Sequence, residues 1–590
     1  MAETINAGVA MVKVLEAWGV KHIYGIPGGS INSTMNALAE EKDQIKYIQV
    51  RHEEAGAMAA AADAKLTGKI GVAFGSAGPG GTHLLNGLYD AREDHVPVLA
   101  LVGQFGTGGM NMDTFQEMNE NPIYADVSVY NVTVMTAESL PHVIDEAIRR
   151  AYAGKGVAVV QIPTDLPTHE IPAESWYASA NSYNEPIYPV IEDEKINEAV
   201  EILTNAERPL IYFGIGTRKA SVELVELSKK LKIPLMNTAI AKGIVPDDYE
   251  ALLGSANRVS QKPGNEALHQ ADAVLFIGNN YPFAEVTNAF KNTKKFIQVD
   301  IDSLKLGKRH KTDVAILGDS KTALRQMMDA STEKAETPWW RANIANLKNW
   351  QAYMTMLEDK TEGDLQLYQV FKQINRIAEE DAVFSVDVGD VTQTSVRHLH
   401  LNGKQPWFTS ALFATMGVGI PGAIAAKLQY PDRQVFSLVG DGAMAMNGQD
   451  LVTQKTYGLN AINVIFTNHQ FGFITDEQED AGMRERIGVD FEDIDFSKYA
   501  EAMGVKGIRV TKVAELPAAF DTALAESKSG RPVLIDAVIS NERPYPVEIQ
   551  DLTSDEFKKR YEADNLQPLT DYMMAEGIEI KDGEVALGGF

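Results

Sequence analysis

Several features are scarce or missing in this sequence, and each absence excludes a class of protein. The 590 residues contain no cysteine, which excludes disulfides and thiolate metal sites and fits a reducing compartment. No run of ~18 apolar residues could span a membrane, and the N-terminal MAETINAGVAM does not resemble a signal peptide. Acidic residues outnumber basic ones: the sequence has 54 Lys and Arg but 81 Asp and Glu, and the net charge is −27. We therefore expect a cytoplasmic protein without nucleic-acid or membrane partners.

The sequence has the length and composition of a large globular protein. Its 590 residues suffice for about three or four domains, and 45% of them are hydrophobic and 23% charged. Short β-branched runs alternate with helical patterns, which predicts the α/β class with parallel sheets. We predict three doubly wound parallel-sheet domains over residues 1–182, 190–335 and 360–548, an aperiodic linker over 176–194, a helical link over 331–363 and a polar tail over 549–590.

One stretch, Gly440–Phe473, predicts a βαβ unit. The apolar runs Val435–Val439 and Ile462–Thr467 read as buried strands, and Gly448–Tyr457 reads as the crossover helix between them. Polar residues follow both strands. Open parallel sheets bind ligands at that edge.

The polar residues of this unit suit a metal ion and a diphosphate. Gly440 and Gly442 would let backbone N–H groups approach phosphate oxygens, and Asp441 supplies an anionic oxygen. Asn468 follows 27 residues later (468 − 441) and supplies an amide oxygen. Mg²⁺ prefers such oxygens and is usually shared with phosphates. The alternative is a strand end with an Asp-Gly turn and no ligand.

These residues carry a family resemblance. A GDG followed about thirty residues later by Asn is the signature of thiamine-diphosphate enzymes. The chain resembles their phosphate-dependent, FAD-containing branch, the pyruvate oxidases of lactic acid bacteria, from about residue 5 to about residue 550. The resemblance includes YGIPGGSIN, VRHEEAGAMAAAADAKLTG, GSAGPGGTHLLNGLYDAREDHVPVLAL and TFQEMNENPIYAD. Many members carry Asn-Asn where this chain has Asn468-His469, but only the first Asn is expected to bind metal.

The resemblance implies a thiamine diphosphate site with Mg²⁺ held by Asp441, Asn468 and the backbone carbonyl of Gln470. It places Glu53 against N1′ of the aminopyrimidine, where a carboxyl group exchanges a proton, and Met416 under the bent coenzyme. The alternatives are that Glu53 and Glu54 only begin a helix and that Met416 belongs to the core. The implied thiamine-binding residues are Pro27, Glu53, Gly389, Met416, Gly440, Asp441, Gly442 and Ala443.

A substrate side is implied by the same resemblance. The irregular, Gly- and Met-rich segment over residues 106–121 reads as an active-site loop, although a plain surface loop is the alternative. Together with Glu53 and Met416, the implied catalytic residues are Phe115, Gln116, Val388, Phe473, Ile474 and Glu477.

The middle domain has strands that end in Gly or Asp, which is the dinucleotide pattern: Gly beside phosphate and Asp beside ribose or adenine. The resemblance implies that this domain holds FAD. The alternative is a structural α/β domain without a ligand. The candidate FAD residues are Gly214, Gly216, Thr217, Arg218, Ser255, Asn257, Arg258, Gly278, Asn279, Asn280, Asp300, Asp302, Lys305 and Asp319.

The implied reaction is oxidative decarboxylation of pyruvate with phosphate and O₂, giving acetyl phosphate, CO₂ and H₂O₂ through a hydroxyethyl-thiamine intermediate oxidised by FAD. Because thiamine lies between the first domain of one subunit and the third of another in this family, a homo-oligomer of at least two subunits is expected, with a homotetramer favoured. An acetolactate-synthase-like carboligase, which consumes no O₂, and a non-catalytic flavoprotein or regulatory subunit are the alternatives.

Overall fold

The computed structural model describes residues 3–184, 188, 190–256, 259–282, 289–541, 559 and 562–580. Three parallel sheets with helices packed around them make up this part of the chain, which confirms the predicted α/β class. Among the described residues, no helix is long and apolar enough to cross a membrane. The predicted tail is described only at residues 559 and 562–580.

The first sheet has six parallel strands whose alternate side chains enter two different cores, as expected when helices cover both faces. Ile23 and Tyr24, for example, belong to opposite cores. In spatial order its strands are Lys46–Gln49, His22–Gly25, Gly71–Gly75, Val98–Gln104, Val157–Pro163 and Ser128–Thr133. Its helices are Ala7–Ala17, Asn32–Glu40, Glu53–Thr67, Pro79–His83, Leu85–Glu93 and Leu140–Gly154, and an antiparallel pair joins Thr4–Asn6 to Glu170–Pro172.

The second sheet has five parallel strands, again buried on both faces. In spatial order they are Leu235–Asn237, Pro209–Phe213, Ala273–Ile277, Lys295–Asp300 and Val314–Leu317. The helices are Asp193–Asn205, Ser221–Leu231, Lys262–Gln270 and Ser320–Ala330. The longer helix Pro338–Glu358 follows, and Leu569–Ala575 packs against it.

The third sheet repeats the six-stranded plan of the first. Its strands in spatial order are Trp407–Phe408, Val383–Val386, Val435–Gly440, Ile462–Thr467, Val533–Val538 and Lys506–Val510. Its helices are Leu367–Ile377, Asp390–His398, Gly419–Gln429, Asp441–Asn447, Leu451–Tyr457, Gly472–Asp480, Phe496–Ala502 and Leu516–Lys528.

Two helix starts differ from the sequence interpretation. The alanine-rich helix begins at Glu53 rather than Ala55, because the His52 side chain accepts a hydrogen bond from the Glu54 N–H and two acidic residues occupy the first turn. The crossover helix begins at Asp441, directly after its strand, rather than at Gly448, where a 3₁₀ turn interrupts it. Both acids therefore lie at helix N-termini, where backbone N–H groups point outward.

Helix Glu53–Thr67 packs against helix Gly419–Gln429 of the third domain, so the two outer domains share one core. Alanine and glycine dominate both helices, and small side chains permit a close approach. The Asn86 side chain adds a polar link, since its amide donates to Thr415 Oγ1 at 2.8 Å. This packing fixes the segment that carries Met416.

Candidate functional site

One cavity of about 1510 Å³ runs along the carboxyl ends of the strands of the second and third sheets. It joins the residues predicted for the diphosphate and metal to most of those predicted for FAD. The predicted residues that line it are Gly214, Gly216, Arg218, Gly278, Asn279, Asn280, Asp300, Asp302, Lys305, Asp319, Val388, Gly389, Met416, Gly440, Asp441, Gly442, Ala443, Asn468, Gln470, Phe473, Ile474 and Glu477.

Asp441 and Asn468 meet in this cavity because their strands are parallel neighbours, with Gly440 paired to Phe466. Asp441 Oδ2 accepts hydrogen bonds from the Asn468 and His469 N–H groups at 3.0 and 2.7 Å, and Oδ1 accepts from the Gly442 N–H at 2.8 Å. Burial raises the pKa of Asp441 to about 6 against the opposing effect of these N–H donors. A buried carboxylate beside an amide oxygen is a donor set that suits Mg²⁺.

Gly440 leaves room for a ligand beside that carboxylate. A Cβ built on Gly440 would meet no heavy atom within 4 Å. At Gly442 a Cβ would lie 2.5 Å from Phe471 Cε1. An open space at a helix N-terminus, beside a buried acid whose oxygens suit Mg²⁺, fits a diphosphate.

Asp387 is a site residue that the sequence interpretation missed. This fully buried carboxylate accepts from the Val388 and Gly417 N–H groups through Oδ1, at 2.8 and 2.9 Å, and from the Gly419 N–H through Oδ2, at 2.8 Å. It thereby ties the loop of Val388 to the segment of Met416. Burial raises its pKa to about 6. The sequence feature that could have identified Asp387 is its position directly after the buried strand Val383–Val386.

The second-domain side of the cavity has the features of a dinucleotide site. Gly214 and Gly278 follow adjacent strands and pack so closely that a Cβ on Gly214 would lie 2.4 Å from the Gly278 carbonyl oxygen. Asp300 ends the next strand, and burial raises its pKa. Arg218 donates to the Lys65 carbonyl oxygen at 2.7 Å and lines the cavity with Lys305. In dinucleotide sites, glycines at a strand end lie beside phosphate and an acid on the following strand lies beside ribose or adenine. Gly214, Gly278 and Asp300 therefore fit FAD.

Two of the predicted FAD residues, Thr217 and Ser255, do not line the cavity. Thr217 is fully buried and its hydroxyl donates to the Gly214 carbonyl, and the Ser255 hydroxyl donates to the Val259 carbonyl. Both hydroxyls are thus used by the local backbone, so these two side chains do not line the site. Asn257 and Arg258 lie outside the described residues.

The predicted residues of the first domain, Pro27, Glu53, Phe115 and Gln116, also lie outside the cavity. Glu53 is buried, and its Oε2 lies 3.0 Å from His83 Nδ1, a partner that the sequence interpretation missed. The sequence feature that could have identified this partner is a histidine two residues after the glycine-rich segment GSAGPGG. A chain by itself therefore presents two separate half-sites.

Phe115 and Gln116 lie on an exposed loop with an unusual backbone. The Phe115 side chain is 83% exposed. Asn111, Asp113 and Gln116 have φ values of 64°, 56° and 61°, in the left-handed region that non-glycine residues seldom adopt. Such backbone clusters are typical of binding loops.

Glu120 is a further buried acid beside Glu53 that the sequence interpretation missed. Its Oε1 accepts from the Gly78 N–H at 2.9 Å, and Gly78 has a φ of +69° that favours glycine. Its Oε2 has no hydrogen-bond partner, and the residue is 1% exposed. Burial raises its pKa to about 7, against the lowering effect of the Gly78 N–H. Glu120 thus holds the glycine-rich turn that carries His83.

Comparisons with known proteins agree along the whole chain. Three thiamine pyrophosphate enzyme models match: the N-terminal TPP binding domain over residues 5–123, the central domain over 196–327 and the C-terminal TPP binding domain over 387–537. Pyruvate oxidase of Lactiplantibacillus plantarum is 63% identical, covering 99% of this chain and 98% of that protein. YdaP of Bacillus subtilis, which is provisionally named a thiamine pyrophosphate-containing protein, is 40% identical. The match covers 92% of this chain and 93% of that protein. The acetolactate synthase large subunit of Parasynechococcus marenigrum is 30% identical, and the match covers 92% of this chain and 89% of that protein.

Proposed function

Since the chain belongs to the thiamine pyrophosphate enzyme family, where a pyruvate oxidase is 63% identical to it, we propose that it is a pyruvate oxidase. The reaction is the oxidative decarboxylation of pyruvate with phosphate and O₂ to acetyl phosphate, CO₂ and H₂O₂. The observation that carries the proposal is the continuous cavity, which connects the GDG strand end to the second-domain glycine turn. Thiamine diphosphate supplies the electron sink for decarboxylation and FAD accepts two electrons, so both belong in one space.

On the third domain, Asp441, Asn468 and the Gln470 carbonyl hold Mg²⁺, and Gly440 gives the diphosphate access to the backbone. Asp441 is already fixed by three N–H donors, two on Oδ2 and one on Oδ1, which leaves one lone pair on Oδ1 for the ion. Met416 lies beside this strand end on the segment that Asp387 holds, and it supports the coenzyme from below.

On the first domain, Glu53 would hold the aminopyrimidine end of thiamine diphosphate, and its carboxyl group would exchange a proton at N1′ of that ring. Its burial keeps water away from the carboxyl group, and His83 orients Oε2. Because Glu53 lies outside the cavity of its own chain, we propose that two subunits complete each site, within a homotetramer. The exposed loop of Phe115 is available for such a contact.

The substrate side is built from both half-sites. Phe473 and Ile474 supply apolar surface that excludes water, and Glu477 supplies a polar group in the same cavity. Phe115, Gln116 and Val388 approach from the two loops described above. In the second domain, Asp300, Asp302 and Asp319 are placed for the ribose and adenine, and Arg218 and Lys305 for the diphosphate.

The test is a pyruvate-driven peroxide assay on the purified protein with thiamine diphosphate, FAD and Mg²⁺, run with and without phosphate. We expect H₂O₂ and acetyl phosphate in equal amounts only when all components are present. Consumption of pyruvate without O₂ uptake, with acetolactate as product, would replace this proposal by a carboligase.

A further inference from the structure

Three side chains with metal-ligating atoms converge at the first-domain half-site: His52, Glu53 and His83. One ligand atom of each lies within 4.8 Å of the other two, and among the described residues this is the only His, Cys, Asp and Glu group that meets that spacing. Glu53 Oε2 and His83 Nδ1 are 3.0 Å apart, and the two imidazole rings stack with centroids 4.3 Å apart.

This spacing is close to that of a tetrahedral metal site. Zn²⁺ binds imidazole nitrogen and carboxylate oxygen at about 2.0–2.1 Å, which places two ligands of one ion roughly 3.3 Å apart. The pair Glu53–His83 is close to that separation, and the His52 ring must turn out of its stack with His83 to bring its nitrogen from within 4.8 Å into range. His52 Nδ1 would give up a long hydrogen bond, 3.3 Å from the Glu54 N–H, and its position 3.7 Å from Glu54 Oε2.

The surroundings suit an ion that arrives from solvent. The His52 and His83 side chains are 35% and 43% exposed, whereas that of Glu53 is 10% exposed. An entering cation therefore meets two accessible nitrogens and a shielded anion, and a water molecule can take the fourth position. The helix N-terminus at Glu53 opposes a cation only weakly, because that field is screened by salt.

We propose that His52, Glu53 and His83 form a Zn²⁺ site that is separate from the Asp441–Asn468 magnesium site. Imidazole ligands favour Zn²⁺, while Mg²⁺ prefers six oxygens, so excess Mg²⁺ leaves this site free. An ion bound here holds the Glu53 carboxylate and withdraws it from the coenzyme. The proposal that Zn²⁺ binds here depends only on the geometry of the three side chains. The withdrawal of Glu53 from the coenzyme also rests on the proposed function.

The direct test is zinc titration of the full chain without coenzyme, in excess Mg²⁺ and in an Asp441→Asn background, followed by calorimetry. We expect one Zn²⁺ per chain. His52→Asn, which retains a helix-capping side chain, and His83→Gln, which retains a hydrogen bond to Glu53, should each weaken zinc binding by more than about tenfold, since even outer partners of a ligand contribute ~10–100-fold. His169→Ala, at an exposed His elsewhere, should leave it unchanged.

Far-UV circular dichroism confirms that each variant is folded before titration. Absence of a zinc equivalent, or a zinc affinity in His52→Asn and His83→Gln that equals the affinity of the Asp441→Asn parent, overturns the site. In the wild-type chain with excess Mg²⁺, one equivalent of Zn²⁺ should slow coenzyme uptake. If zinc binds as predicted but does not slow coenzyme uptake, zinc does not withdraw the Glu53 carboxylate from the coenzyme, and the role proposed for Glu53 at the aminopyrimidine is also wrong. The zinc site itself would stand.

Discussion

Gly440→Ala separates the binding of the diphosphate from the stability of the fold. A Cβ on Gly440 meets no heavy atom within 4 Å, and the backbone there has φ −73° and ψ 156°, which alanine adopts freely. The free energy of unfolding of the chain without coenzyme should therefore change by less than about 0.5 kcal/mol. In the complex, the same methyl group occupies the space assigned to the phosphate oxygens.

The expected loss of affinity follows from the contacts that the methyl group blocks. A hydrogen bond to a charged group contributes about 1.5–3 kcal/mol. Losing one such bond raises the Kd for thiamine diphosphate about 10–150-fold, at about 1.4 kcal/mol per factor of ten. Fluorescence titration of the chain with coenzyme, at saturating Mg²⁺, measures this change directly.

Val222→Ala is the control, because the Val222 side chain is 64% exposed and lies outside the cavity. Its Kd for the coenzyme should equal that of the wild type. Gly442→Ala gives the contrasting result, since its Cβ would lie 2.5 Å from Phe471 Cε1 and overpacking costs about 1–3 kcal/mol without coenzyme. Equal coenzyme affinity in Gly440→Ala and Val222→Ala would refute the diphosphate position.

Three further predictions follow from the carboxylates. Glu53→Gln should lower turnover by about 10²–10⁴ while leaving the melting temperature within a few degrees, as measured by peroxide formation and calorimetry. Asp441→Asn should raise the Mg²⁺ concentration needed for half-maximal coenzyme binding by more than about tenfold, and an unchanged requirement would reject it as a ligand. Glu120 has a folded-state pKa raised from 4.5 to about 7, so its contribution to stability is lost as pH rises through that interval. The loss amounts to roughly 3 kcal/mol, and Glu120→Gln should abolish this part of the pH dependence in urea unfolding, where an identical pH profile would contradict it.

The strands and the meeting of Asp441 with Asn468 were predictable from the sequence because they depend on local patterns. Ile462–Thr467 was predicted with its observed bounds, and the parallel pairing of its strand with Val435–Gly440 brings Asn468 to Asp441 as expected. The family resemblance carried by these motifs is confirmed by the comparisons. The cofactor and substrate roles of individual residues stay predictions.

The partners of the buried acids were not predictable, because tertiary packing sets them. His83 is 30 residues from Glu53, and Gly78 is 42 residues from Glu120, so no local pattern links them. The start of a helix at Glu53 was given only as an alternative, because histidine is an uncommon N-cap. The bond of the Thr217 hydroxyl to a carbonyl three residues away could not be distinguished from a ligand contact on sequence alone.

The coupling of two cofactors in one cavity is tested most directly by anaerobic flavin bleaching. The purified protein is loaded with FAD, thiamine diphosphate and Mg²⁺, and flavin absorbance is followed after pyruvate is added in the absence of O₂. We predict rapid bleaching that requires thiamine diphosphate and that O₂ reverses with release of H₂O₂. A flavin that stays oxidised in the complete mixture, or that pyruvate bleaches equally well without thiamine diphosphate, would contradict the account.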